Sequence, residues 1–254
     1  MGMIIELQQV ALTYQSPDGE IEALKDVSFH MAEGEFVSII GPSGCGKSTL
    51  LSLVAGLEKP SHGAIWVDGD IVTAPSPKIG LMPQRDQLFE WRTIWSNVTL
   101  GLEVRHENTP KRQAHVRELL ERYGLSEFLS KKPSQLSGGM RQRCALIRTL
   151  ATDPRILLLD EPFSALDYQT RLSVSDDIHS IIRQEKKTAL LVTHDISEAI
   201  SMSDRIVVLS HRPATVKAIH DLGELRSLSP MERRDAPNFR TYFNQIWKEL
   251  EINV

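Results

Sequence analysis

The sequence predicts an α/β protein with a parallel-sheet core, an antiparallel β subdomain at the N-terminus and an inserted α-helical subdomain. Three observations lead there. Short apolar runs at Phe36–Ile40, 156–159, 189–192 and 206–209 are separated by stretches with helical spacing, the alternation of a parallel sheet covered on both faces. Residues 1–35 instead alternate apolar and polar positions, as in Ile4-Ile5-Glu6-Leu7 and Val27-Ser28-Phe29, which suits a half-exposed antiparallel sheet. Residues 88–153 hold helix-spaced apolar positions and no convincing strand.

From the N-terminus, the turn-like Ser16-Pro17-Asp18-Gly19 divides the first alternating region into a hairpin. Phe36–Ile40 reads as a strand running directly into a glycine-rich loop. Leu50, Leu53, Val54 and Leu57 then fall on one face of a helix that closes within 56–60. Ile79–Met82 is strand-like, and Val116, Leu119, Leu120 and Tyr123 trace an amphipathic helix. Ser137, Gly138 and Gly139 open a helix running through Met140, Cys144 and Ile147. Near the end, Phe239, Phe243, Ile246 and Leu250 recur at helical spacing, marking a docking helix.

A chain of 254 residues has room for one large α/β domain with a subdomain. Its net charge of −4, with acids and bases mixed, gives no electrostatic footprint for nucleic acid. The first residues lack the basic-then-apolar plan of a signal peptide. No apolar run nears the roughly 20 residues of a membrane helix, so a membrane role requires a partner. The two cysteines, Cys45 and Cys144, have no metal-like spacing. Cys45 within a phosphate loop fits a reducing compartment, so the expected location is cytoplasmic. The other seven histidines besides His194 are expected to be solvated.

Gly41-Pro42-Ser43-Gly44-Cys45-Gly46-Lys47-Ser48-Thr49 matches GxxxxGK[ST] in full, after a strand and before a helix. Glycines let successive N–H groups converge on an anion, and the helix N-terminus adds partial positive charge. Lys47 is expected to reach the β- and γ-phosphates, Ser48 to ligate Mg²⁺ and Thr49 to lie near the α-phosphate. In Ile156-Leu157-Leu158-Leu159-Asp160-Glu161 an apolar strand ends in two acids. Adjacent strand side chains point opposite ways, so different jobs are expected of them: Asp160 on Mg²⁺, Glu161 on the attacking water. Leu136-Ser137-Gly138-Gly139-Met140 offers a hydroxyl and exposed N–H groups, a second anion cradle.

These three segments in this order resemble the nucleotide-binding subunit of an ATP-binding cassette (ABC) transporter, a P-loop NTPase, across nearly the whole chain. The resemblance implies a single ABC ATPase domain over 1–254. Within it 1–87 and 154–230 would form the nucleotide-binding core, 88–153 the helical signature subdomain and 231–254 a helical tail. It implies ATP hydrolysis with Mg²⁺ in a head-to-tail dimer with a second ATP-binding subunit. Ser137, Gly138 and Gly139 of one copy would then contact ATP on the other. Tyr14 resembles the aromatic that stacks on adenine, a core or surface tyrosine being the other reading. Gln84 resembles the glutamine that touches Mg²⁺ and water. Ser164-Ala165-Leu166-Asp167 is similar to the segment communicating across the dimer, with Asp167 as anchor, and His194 to the histidine contacting the γ-phosphate.

Residues 82–93 resemble the coupling region of bacterial importers for nitrate, sulfonate, taurine and related compounds, with Glu90 where many relatives have proline. Thiamine precursors or other small organic solutes are equally compatible cargo. Phe89, Trp91 and Ile94 read either as a groove for a short permease helix or as core. The implied partners are transmembrane permease subunits and, indirectly, an extracytoplasmic solute-binding protein. The chain would then sit on the cytoplasmic face of the cell membrane. A soluble ABC ATPase acting on ribosomes or DNA, and an unrelated P-loop kinase or switch, are the rival readings. The first usually has two cassettes or a coiled-coil insertion, and the second has no reason to contain residues 136–140.

Overall fold

The computed structural model describes residues 2–17 and 19–251. Asp18 of the expected turn and the last three tail positions lie outside that range. Two sheets organise the chain. In the first, β1 (Met3–Ser16) pairs antiparallel with β2 (Gly19–Ala32) on one side. On its other side come β4 (His62–Val67) and then β5 (Asp70–Ile71). Sequence periodicity had not separated the last two.

The second sheet is built on β3 (Phe36–Ile40), whose five residues are all buried, as a central parallel strand requires. Around it the order is β10–β9–β3–β8–β7–β6. β6 (Ile79–Met82), β7 (Ile156–Asp160), β8 (Thr188–Val192) and β9 (Arg205–Leu209) pair parallel with their neighbours. β10 (Val216–Asp221) joins β9 antiparallel, an edge strand whose alternating half-exposure had concealed it among loop residues.

Alternate strand residues feed opposite faces. Val37, Ile39, Leu158 and Leu190 pack with Leu50 and Leu53 of α1 (Lys47–Val54) and with the small sheet. Phe36, Leu157, Leu159 and Leu191 meet the helical region. That region comprises α2 (Ile94–Val98), α3 (Leu100–Val104), α4 (Pro110–Arg122) and α5 (Gly138–Leu150). Two further helices cover the sheet, α6 (Tyr168–Gln184) and α7 (Ile196–Met202). α8 (Pro230–Asp235) and α9 (Phe239–Glu251) close the chain. Ile246 of α9 is fully buried with Ile40, Ile200, Ile206 and Val208, so the tail packs on its own core.

Two expectations need correction. Leu57 does not continue the first helix. Gly56, at φ +73°, closes it in the left-handed conformation, with the Leu57 amide bonded to the Ser52 carbonyl at 3.0 Å, and Leu57 is 58% exposed. A Cβ at Gly56 would lie 2.4 Å from the Ala74 carbonyl oxygen, which fixes glycine there. Nor are the remaining histidines all solvated. His179 is buried against the Phe36 ring, and burial, helped by Arg183, drives its imidazole down to about 3. His220 is held to Glu249 at 2.8 Å.

Candidate functional site

The glycine-rich loop bridges β3 and α1, and Gly44 and Gly46 take φ of +72° and +118° there. At Gly46 a Cβ would meet Leu24 Cδ2 at 3.0 Å, so the loop closes against the small sheet. Lys47 is nearly buried and folds back, its Nζ donating to the carbonyls of Gly41 (2.8 Å) and Pro42 (3.0 Å). Ammonium and loop thus form a concave, cation-centred surface. A cleft of about 510 Å³ opens above it, lined by Ser43, Gly44, Gly46, Lys47, Ser48, Thr49, Glu161, His194 and Arg212.

Cys45 is not on that surface. Its side chain is 2% exposed and lies under the loop, where a Cβ on Gly41 would be 2.9 Å from its Sγ. Burial pushes its thiol pKa up. Its amide belongs to the loop and its thiol to the core.

At the cleft floor the Ser48 hydroxyl donates to Asp160 Oδ1 at 3.0 Å. Burial raises the Asp160 carboxyl above its ordinary range, with the neighbouring Glu161 adding to the rise and Ser48 opposing it. A hydroxyl and a half-buried carboxylate at this spacing are the hard oxygen donors Mg²⁺ takes, and a cation would offset the burial cost. The residues therefore fit the metal.

Strand alternation would have sent Asp160 and Glu161 in opposite directions. Glu161 instead sits at φ +42°, just past the end of β7, and lines the cleft, while Asp160 meets it through the Ser48 hydroxyl. Its amide bonds the Val192 carbonyl at 2.8 Å, which locks the turn. Glu161 Oε2 accepts from Gln84 Nε2 at 3.3 Å and lies 3.1 Å from His194 Nδ1. Gln84 also reaches Ser164 Oγ at 3.4 Å. A carboxylate flanked by an amide and an imidazole can hold and deprotonate a water molecule.

Tyr14 stands at the cleft rim, 37% exposed, its hydroxyl donating to Glu58 at 2.9 Å and lying 3.4 Å from Thr49 Oγ1. Arg212, on the β9–β10 turn, was missed from the sequence. Its Nη2 donates to the Gly44 carbonyl at 2.7 Å, and only the fold brings that turn beside the loop.

Ser137, Gly138 and Gly139 do not line the cleft. Ser137 caps α5, its Oγ accepting from the Met140 amide, and both Ser137 and Gly138 are exposed. Gly139 is needed for packing, since a Cβ would meet Val174 Cγ2 at 2.6 Å. Asp167 is exposed and caps α6, and the Thr170 hydrogen bond holds its carboxyl below the ordinary range.

In the 82–93 region Trp91 is 72% exposed and stacks on Phe89 at 4.8 Å. Ile94 is fully buried in the helical core, so it drops out of the expected groove. Glu90 pairs with Arg141 of α5 at 2.7 Å, and Arg141 also bonds Asp86 at 2.7 Å. Burial alone would raise Asp86, but Arg141 and the Leu88 amide prevail and hold it low.

Similarity to known proteins extends over most of the chain. The ABC transporter family matches residues 24–164. The ABC transporter ATP-binding protein YtlC of Bacillus subtilis (strain 168) is 46% identical over 247 residues, 97% of this chain and 95% of its own length. The aliphatic sulfonates import ATP-binding protein SsuB of Bacillus thuringiensis subsp. konkukian (strain 97-27) is 36% identical over 249 residues, 98% of this chain and 96% of its own. Among solved structures, the dimeric post-hydrolysis state of the ATP-binding cassette MJ0796 bound to ADP and Pi superimposes with a TM-score of 0.72 at 34% identity. That match covers 86% of this chain and 99% of the other.

Proposed function

Because this chain belongs to the ABC transporter family and is an ATPase, we propose that it powers import of a small solute such as a sulfonate, nitrate or taurine, as a head-to-tail dimer. One observation carries the dimer. The cleft gathers Lys47, Ser48, Glu161 and His194 from a single copy, while the exposed Ser137 and Gly138 stand outside it. A second copy supplying residues 137–139 would complete the enclosure, and symmetry then gives two equal sites. The dimeric neighbour bound to ADP and Pi supports the arrangement.

In this reading Tyr14 stacks on adenine and the amides of residues 41–49 bind the phosphates. Lys47 exchanges its carbonyl partners for phosphate oxygens. Ser48, Asp160 and Gln84 would hold Mg²⁺, which would supply neutralisation of phosphate charge. Glu161 takes the proton from the attacking water, Gln84 and His194 orient that water and the γ-phosphate, and Asp167 answers the second copy.

No helix among the described residues is long and apolar enough to cross a membrane. Attachment to the membrane's inner face would therefore run through permease subunits. Trp91, exposed and stacked on the half-buried Phe89, would dock them, and an extracytoplasmic solute-binding protein would deliver the cargo. The kinship with a sulfonate import protein supports this class of solute.

The composite site is tested with two-tag heterodimers carrying Lys47→Ala and Ser137→Ala. On opposite copies the two changes fall in one site and leave the other working. On the same copy they disable both. Activity surviving only in the same-copy arrangement would mean that each copy forms its whole site alone.

A further inference from the structure

Where α6, α7 and α8 meet, outside the cleft, the fold buries a polar junction that the reaction as described does not use. On α6, Arg171 donates to the Leu166 carbonyl at 3.1 Å and pairs with Asp195 at 3.4 Å. Asp195 caps α7 by accepting from the Glu198 amide. From the tail, Arg234 of α8 donates to Ser175 Oγ of α6 at 3.3 Å. Five buried polar atoms in this group have no hydrogen-bond partner: Arg171 Nε, Asp176 Oδ1, Glu198 Oε1, and Nε and Nη1 of Arg234. Donors and acceptors are both represented, so their charges, rather than direct hydrogen bonds alone, hold the junction together.

Its location gives it consequence. Leu166 precedes Asp167, and Asp195 follows His194, so one junction joins the 164–167 turn to the histidine segment. The neighbouring Arg233 is fully buried and donates to the carbonyls of Ile200, Ser203 and Leu228, which fastens α8 to the C-terminal end of α7. A reciprocal Ser229–Glu232 capping box fixes the start of α8. Arg234 is therefore aimed at the junction by a rigid mount.

We propose that Arg234 is a positioning residue for ATP hydrolysis: with Arg171 it balances the junction carboxylates and keeps the His194 segment in register with the 164–167 turn. Burial pushes the Glu198 carboxyl up to about 8, with Asp195 and Glu161 adding to the rise and Thr193 and Arg171 opposing it. Asp176 and Asp195 share the junction with two guanidiniums, Arg171 and Arg234, and Glu161 of the cleft also faces Glu198. Ionising Glu198 adds a further negative charge beside Asp195, Asp176 and Glu161 and shifts how the two guanidiniums are shared.

The proposal rests on Glu161 and His194 acting as described above, so Glu161→Gln is measured alongside. Steady-state ATP hydrolysis is followed from pH 6.5 to 9.5 for the full chain and for Arg234→Gln, Arg234→Lys and Glu198→Gln. Arg234→Gln should lower kcat by about 10- to 100-fold, the range for a misplaced catalytic group, with KM for ATP held within about twofold. Arg234→Lys should recover most of the rate. Glu198→Gln should keep the neutral-pH rate and abolish the decline above about pH 8. An unchanged kcat in folded Arg234→Gln overturns the proposal. If that variant does not fold, a Glu198→Gln profile that declines in alkali like the parent overturns it equally. Hydrolysis surviving in Glu161→Gln would instead refute the site assignment.

Discussion

Glu198→Gln should change strongly how the protein's stability depends on pH. The parent carboxyl is 6% exposed on α7 and is shifted from an ordinary 4.5 up to about 8, chiefly by burial. Between those values the folded protein holds a proton that the unfolded chain has released. Stability from this group is therefore complete below 4.5 and is lost as pH rises through about 8. At about 1.36 kcal/mol per pH unit, the ceiling on that loss is about 5 kcal/mol. Reorientation of Arg171 or Arg234 towards the ionised group would bring it nearer 2 kcal/mol. For a domain of this size that amounts to a Tm difference of about 4–20 °C. Urea or thermal midpoints at pH 5, 7 and 9 provide the assay. The parent should lose ground steadily to Glu198→Gln and the gap should level off above about pH 8. Parallel curves, differing by less than about 0.5 kcal/mol across the series, would mean that Glu198 ionises as in the unfolded chain, and the burial argument would fail.

Two further outcomes follow from the cleft. Tyr14→Ala should weaken ATP binding by about tenfold, the scale of one lost aromatic–base stack, whereas Tyr14→Phe should stay within about threefold because the hydroxyl serves Glu58 rather than the base; equal losses in titration calorimetry would contradict the stacking role. Cys45 and Cys144, buried with thiol pKa values raised by that burial (Cys144 to about 12), should resist maleimide in the native protein and react in urea, and ATP should make no difference; rapid native labelling by mass spectrometry would contradict the buried thiol.

Local patterns announced much of this architecture. The continuous apolar runs of β3, β7, β8 and β9 signalled strands buried on both faces, and the full GxxxxGK[ST] spacing marked where the chain turns around an anion. What escaped depends on distant parts of the chain. β10 alternates half-exposed residues and takes its identity from pairing with β9. Arg212 enters the cleft only because the β9–β10 turn folds over Gly44. The direction of the Cys45 thiol and the positive φ of Glu161 are set by packing and by the Val192 carbonyl, which no spacing rule encodes. Ile94 reads equally well as groove or core until the helices around it are in place.

Catalysis by Glu161 within an ATP-closed pair of subunits is tested most directly by single-turnover hydrolysis and size-exclusion chromatography of Glu161→Gln. The account predicts retained ATP binding, hydrolysis slowed by about 10²- to 10⁴-fold, and a shift to dimer that requires ATP. Near-normal hydrolysis, or a monomer under saturating ATP, would contradict it.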